Sequence, residues 1–410
     1  MPGPLATPDQ IEIETIAAEL RSDADLAPVF ARIAEEWRAR MPADEANLAR
    51  FPAQFESAAI CGCMFAANDD PLYPRLHAFG RLGHDTNGHH IPSTKSGHPN
   101  IDYIYRFAAI DGGSRYIIRG RLPEVGPIAI EYSLLTATQV YEGNISLREL
   151  TTDGAGRFEI TVDPDPAGDR PNHFQTSPES VQLLLRDVIS DPRGQLPAEL
   201  TIERLGPPPE RPRQSLEEMK RNVERQVRKH IDDLDYTTFE FVLKRPVNSF
   251  AAPVVSRDGI LSVAQAYSPG HYQIAEDEAL IVTMTLAGAA YAVVPVTDLW
   301  GGVGNMLEHR TALGTGLARP NPEGSYTFVV SLSDPGVANW VDPDGLTHGV
   351  VFFRWIGLDP GSEEAPRLDT RIAKLSDLPA ALPDGTPWMT PADRRIDHDL
   401  VSAAYAELFS

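Results

Sequence analysis

At 410 residues, with 42% hydrophobic residues and a net charge of −22, the chain is long enough for two domains with sizeable cores. The acidic balance argues against nucleic acid and against anionic membrane as partners, because both select basic patches. No apolar stretch approaches the length of a membrane span, and residues 1–10 lack the basic and apolar regions of a secretory signal.

In chain order, residues 9–40 read as helical, with Ile13, Ile16, Leu20, Val29, Phe30, Ile33 and Trp37 at three- and four-residue spacing. The pattern continues helically through 44–67. This stretch holds the only cysteines, Cys61 and Cys63, on either side of Gly62. Their small apolar neighbours predict buried, inert thiols in a reducing cytoplasm. Residues 69–100 form a polar segment rich in Pro, Gly and His, expected as a long loop. Strands are expected over 101–110, 115–121, 128–135 and 144–150. Hairpin turns are expected at Asp111-Gly-Gly-Ser and at Asp153-Gly-Ala-Gly. Ser177, Pro178 and Glu179 look like the capped start of a short helix over 177–190.

Past the Pro-rich linker that begins at Gly206, Ser215-Leu-Glu-Glu is a capping box. The helix it opens carries Leu216, Met219, Val223, Val227, Ile231 and Leu234 on one face, a core stripe. Strands resume from Phe239, notably over 280–287, 291–296, 326–331 and 350–356. The tail is a Pro-rich loop and a helix over 393–409. Runs of strands without regular intervening helices point to antiparallel sandwich or jelly-roll domains.

The loop over 334–348 is the densest in polar groups. Asp334 and Asp342 sit where an Asp side chain caps its own turn, which competes with a catalytic role. Arg354, on an otherwise apolar strand, needs a partner if it points inward. A carboxylate of the loop, Asp342 or Asp344, or of a ligand would serve. Trp300 and Trp340 are expected beside one cavity, with Arg310, Arg354 and Asn339 as further ligand contacts. His348 is the candidate general acid or base, with Asp342 and His309 as candidate catalytic partners. Turn capping by His348 is the competing reading.

Other chemistries find less support. No Gly-x-Ser-x-Gly elbow or dinucleotide fingerprint is present, and no cofactor is expected. His84, His89 and His90 are the one set that could hold a metal, but their spacing is no established ligand pattern, so no metal is expected.

Several blocks carry a resemblance. The first half has Gly97-His-Pro-Asn-Ile-Asp-Tyr-Ile-Tyr, Asp153-Gly-Ala-Gly-Arg-Phe-Glu-Ile, Leu183-Leu-Leu-Arg-Asp and Leu200-Thr-Ile-Glu-Arg-Leu. The second has Thr297-Asp-Leu-Trp, His309-Arg-Thr and the block from Asp334-Pro-Gly through Asn339-Trp-Val-Asp to Arg354-Trp. In these the chain resembles the bacterial family called domain of unknown function 1214, although its 84–98 segment is richer in His. The resemblance implies an all-β C-terminal domain and a place in the breakdown of hydrophobic or aromatic small molecules.

The expected fold is therefore α+β, mainly β. A helical N-terminal layer (1–100, with the His-rich loop) precedes a β-rich domain (101–206), a linker and connecting helix (207–236), a C-terminal β-sandwich (237–370) and a tail (371–410). The expected function is cytoplasmic. The chain binds a small apolar or aromatic ligand and performs redox-neutral acid/base chemistry of hydrolase or lyase type. The alternatives are a non-catalytic binding or accessory protein, and a metal-dependent hydrolase or oxygenase. A homo-oligomer is compatible with all three.

Overall fold

The computed structural model describes residues 3–255, 265–359 and 364–409. Four helices make one layer. They are α1 (Pro8–Ser22), α2 (Ala27–Arg40), α3 (Glu45–Ala67) and α4 (Leu216–Tyr236). Thr7 and Asp44 cap α1 and α3 by accepting from Gln10 N and Asn47 N, and both bonds of the Ser215–Glu218 capping box form at α4. The α4 stripe is buried from Met219 to Leu234 and meets Ile13, Phe30, Trp37 and Phe55 in one core. Gly62 explains the small-residue run of α3. A Cβ there would lie 2.6 Å from the Val227 Cα, so only glycine lets the two helices approach this closely. The cysteines beside it are fully buried. Burial pushes the Cys63 thiol up to about 12 and the Cys61 thiol well above its ordinary value.

The first sandwich contains β1 (His77–Phe79), β4 (Tyr103–Ala109), β5 (Arg115–Arg121), β6 (Ala129–Thr136), β7 (Tyr141–Ser146), β8 (Arg157–Asp163), β9 (His173–Gln175), β10 (Ser180–Val188) and β11 (Glu199–Leu205). A separate hairpin is made by β2 (His84–Thr86) and β3 (His89–Ile91). The second sandwich contains β12 (Val254–Val255), β13 (Gln265–Gln273), β14 (Glu278–Met284), β15 (Tyr291–Thr297), β16 (Ala312–Gly314), β17 (Tyr326–Val330), β18 (Trp340–Val341), β19 (His348–Ile356) and β20 (Leu368–Lys374). Short α5 (Leu378–Ala381) and the terminal α6 (Pro391–Phe409) follow.

The two sandwiches have one topology. The five-stranded sheets run β1-β4-β10-β6-β7 and β12-β13-β19-β15-β16. The four-stranded sheets run β11-β5-β8-β9 and, read from the other end, β20-β14-β17-β18. Strands β4 to β11 thus map in order onto β13 to β20, and β1 maps onto β12. Even the parallel pairs correspond, β8 with β9 and β17 with β18. The fold is mainly β with a helical layer, and its sheets are antiparallel apart from these two edge pairs.

Several expectations are corrected. Residues 180–188 form a central strand, not a helix. It is buried on both faces, so its apolar run has no strand period to show. Asp111–Ser114 and the turn at Asp153 do not close hairpins; they cross between sheets, since β4 pairs with β10 whereas β5 pairs with β11 and β8. The 69–100 segment is not structureless, and its β1 joins the first sandwich. After α4 the chain continues as a π-helical turn, Thr237–Leu243, before any strand. At the other boundary, β20 extends past residue 370 to Lys374.

Candidate functional site

The three proposed catalytic residues do not form one constellation. His309 Nδ1 lies 2.8 Å from Asp342 Oδ2 and its Nε2 lies 3.3 Å from Asp344 Oδ1. Burial pulls this imidazole down, but the Asp342 hydrogen bond and the two carboxylate charges outweigh it and hold it above the ordinary value. With both nitrogens so engaged, His309 is a poor general base. His348 lies elsewhere, with Nε2 3.1 Å from His271 Nδ1 and Nδ1 3.5 Å from Asp44 Oδ2. Burial and then His271 push it below the ordinary value. Asp342 also caps its own turn, accepting from Asp344 N at 2.9 Å.

The proposed binding residues separate as well. Trp300 is 1% exposed in the helical core, edge-on to Phe51 and Trp37, with Nε1 donating to Asn47 O at 2.8 Å. Trp340 lies under the Arg394 guanidinium of α6 and donates to Ser331 O. The two rings share no cavity, because the strand end that carries Trp300 is covered by α3. Arg310 pairs with Asp397 of α6 at 2.7 Å. Asn339 is structural. Its amide bonds Arg319 N and O and Thr327 O, and Asn172 makes the same three bonds to Thr151 N and O and Glu159 O in the first sandwich.

The candidate metal set does not converge. In the β2–β3 hairpin, His84 pairs with Ile91 and His89 with Thr86, whereas His90 pairs with Asp85 on the opposite face. His84 Nε2 is held by Glu14 at 3.0 Å and His90 by Asp85 at 2.9 Å.

Arg354 departs from expectation in a more informative way. It is 8% exposed, and among the described residues no carboxylate lies within ion-pair distance. Asp344 is taken by Arg50 and His309, and Asp342 by His309. Arg354 Nη2 donates to His98 O, and its guanidinium stacks 4.7 Å from the Phe352 ring centre. Its Nη1 is buried without an acceptor among the described residues, as is Asn100 Nδ2. Asn100 N donates to the Tyr105 hydroxyl at 3.0 Å. Burial raises the Tyr105 phenol, and Arg354 acts against that rise. The two residues that carry these donors therefore both act on one neutral phenol. His98 completes the wall. It holds a left-handed backbone at φ 47, and its ring nitrogens are held by Thr297 Oγ1 at 2.7 Å and Thr238 Oγ1 at 2.8 Å. Burial, then Arg354, push its imidazole down to about 3, so it is neutral. A non-glycine residue in that region is a strain typical of functional positions.

These groups lie at the seam where the five-stranded sheets of the two sandwiches meet along Tyr103, Ala129, Val188, Tyr291, Val293 and Ile356. Across the seam, Gln265 Nε2 donates to the Tyr103 hydroxyl at 2.9 Å and to Glu131. Arg186 lies 5.7 Å from the ring centres of Tyr103 and Tyr141, with Nη2 3.5 Å from Glu131 Oε2. Tyr105 and Phe352 are only partly buried, which gives the cluster an edge at the surface. Sequence reasoning missed Arg186, Tyr105, Tyr267, Glu131 and Gln265. The available signal was an arginine inside the apolar run 181–189, placed as Arg354 is within 349–357.

A hollow of about 1400 Å³ lies along the first sandwich by Arg119, Phe158 and Leu200. Four of its five arginines are answered within the chain, Arg106 by Asp187, Arg119 by Glu159 and Glu203, Arg157 by Asp153 and Arg170 by Asp163, and the fifth, Arg121, is exposed to solvent. No buried side-chain polar atom along it lacks a partner among the described residues. The seam, with its orphan donors, is therefore the stronger site.

Beside the seam, Asp298 is fully buried, and its Oδ1 accepts from Trp300 N and Gly302 N at 3.0 Å each. Burial pushes its carboxyl up to about 7. A folded-state value above the unfolded one (about 3.9) gives stability that is full below that value and lost as pH rises through the folded value. Asp298→Asn is expected to gain stability over the parent between about pH 4 and pH 7, by about 1.4 kcal/mol per pH unit, and to hold a constant offset above it. Urea melts of both proteins across that range test this; parallel curves would remove the assignment.

No family model and no curated protein matches the chain. Among solved structures, an uncharacterized protein from Burkholderia cenocepacia is 23% identical, with a TM-score of 0.71 over 89% of this chain and 100% of that one. The VPA0106 protein from Vibrio parahaemolyticus is 13% identical, with a TM-score of 0.41 over 67% of this chain and 90% of that one. The chain shares the fold of the Burkholderia protein.

Proposed function

We propose that the chain is a non-catalytic small-molecule-binding protein. Its apolar or aromatic ligand brings an acceptor group to Arg354 at the seam between the sandwiches. The observation that carries this is the pair of buried donors without acceptors among the described residues, Arg354 Nη1 and Asn100 Nδ2, on residues next to the partly exposed rings of Tyr105 and Phe352. A buried guanidinium is costly until an acceptor meets it, and a ligand carbonyl or carboxylate fits that need. Binding is favoured over acid/base catalysis because the one histidine here, His98, has both ring nitrogens held by threonine hydroxyls. The resemblance of its sequence blocks to domain of unknown function 1214 supports a place in bacterial breakdown of hydrophobic compounds. The free, buried Cys61 and Cys63 support a reducing cytoplasm.

The test is calorimetric titration with benzoate, acetophenone and toluene. The parent protein is expected to bind a member that carries an oxygen acceptor in preference to toluene. Arg354→Met is expected to weaken that binding at least tenfold, or about 1.4 kcal/mol. Equal binding by parent and variant would remove Arg354 from the site.

A further inference from the structure

The repeated topology gives the seam an internal reference for its ligand. In the first sandwich, Arg186 stands opposite Tyr105 on one neighbouring strand and opposite Glu131 on the other. In the second, Arg354 stands opposite Tyr267 on one side and opposite Val293 on the other. Tyr105 and Tyr267 are thus equivalent, as are Arg186 and Arg354. The third position is where the two differ. Glu131 sets a carboxylate beside Arg186 and also accepts from the Tyr103 hydroxyl at 2.7 Å. Val293 is fully buried and offers Arg354 nothing polar.

Among the described residues, one guanidinium of the seam is therefore neutralised and the other is not. The phenols of Tyr105 and Tyr267 feel both guanidiniums, so the two charges belong to one electrostatic environment. Burial keeps both phenols protonated, and neither cancels the Arg354 charge. A neutral ligand leaves that charge uncompensated in a low-dielectric site. A dianion brings a second negative charge toward Glu131, and like charges brought together without water between them repel. From this asymmetry we infer that the seam selects a monocarboxylate with an apolar or aromatic body. Its carboxylate does for Arg354 what Glu131 does for Arg186. The inference rests on the ligand site proposed above and names the charge class that the site takes.

The experiment ranks three probes of similar size at pH 8 by calorimetry: benzamide, benzoate and phthalate, which carry zero, one and two negative charges. The parent protein is expected to bind benzoate at least tenfold more tightly than either of the others. Val293→Glu places the missing carboxylate beside Arg354 and is expected to cost benzoate at least tenfold. Glu131→Gln frees Arg186 with little change of shape and is expected to narrow the benzoate-over-phthalate ratio at least tenfold. If Val293→Glu fails to fold by circular dichroism, the parent ranking and Glu131→Gln decide. A parent that prefers benzamide or phthalate, or a ratio unmoved by Glu131→Gln, overturns the monoanion assignment while Arg354-dependent binding still stands. If none of the three probes binds, the ligand site and the assignment fall together.

Discussion

Trp300→Ala is expected to destabilise the protein by about 3–5 kcal/mol, toward the upper end of that range. The indole is 1% exposed, and its ring centre lies 4.6 Å from that of Phe51 and 5.3 Å from that of Trp37, both near edge-on. Each such aromatic pair adds roughly 0.5–1.5 kcal/mol beyond burial alone. The hydrogen bond to Asn47 O is lost as well. Helix α3 cannot collapse into the space, because Gly62 already sets it in close contact with α4. The measurement is the urea midpoint, with Trp340→Ala as the comparison. Trp340 is half-buried and stacks on Arg394, so its loss is expected to cost less. A small effect at Trp300 together with loss of ligand binding would return that residue to the binding role its sequence position suggested.

Asn172→Ala and Asn339→Ala are expected to cost similar amounts, about 2–4 kcal/mol each. Each amide satisfies one backbone N–H and two backbone carbonyls where the chain leaves one strand and enters a parallel edge strand. Removing it orphans three main-chain groups at once, at roughly 1–3 kcal/mol for each that stays dry. The two sites lie in different sandwiches, so the double variant is expected to show additive losses. Ligand titration should be unchanged in both, since neither side chain reaches the seam. A strong effect at one position and none at the other would contradict the structural equivalence of the two sandwiches.

That equivalence shows how much of the fold could be read from the sequence. Gly156-Arg-Phe-Glu-Ile and Gly324-Ser-Tyr-Thr-Phe open equivalent strands, and both glycines hold positive φ, at 75 and 88. Leu184-Leu-Arg-Asp-Val and Phe352-Phe-Arg-Trp-Ile occupy equivalent central strands. Few identities survive between the halves, because a strand buried on both faces needs only apolar residues of suitable volume. The capped-helix reading of 177–190 failed for the same reason. Ser177 does form a local side-chain bond, accepting from Glu179 N, but it precedes a strand. The candidate site was legible in one residue, Arg354, through the cost of an arginine on an apolar strand. The catalytic trio was not, since His348 and His309 reach different carboxylates.

The sequence by itself determined the elements whose causes are local. These are the capping box at Ser215, the stripe from Met219 to Leu234, the turns at Asp334 and Asp342, and the burial of Cys61 and Cys63. Each depends on residues within a few positions of one another, and tertiary packing had only to agree with them. Tertiary structure alone decided which strands pair and which charged groups meet. Most successive strands of each sandwich change sheets at their turns, so the partners of a strand often lie far along the chain. The loop carboxylates ahead of Arg354, Asp342 and Asp344, turn toward Arg50 and His309, and the groups around Arg354 come from 98–105, a segment in the other half of the chain. A periodic pattern tells which face of an element is buried, but not what lies against it, and the function proposed here depends on what meets Arg354 at that seam.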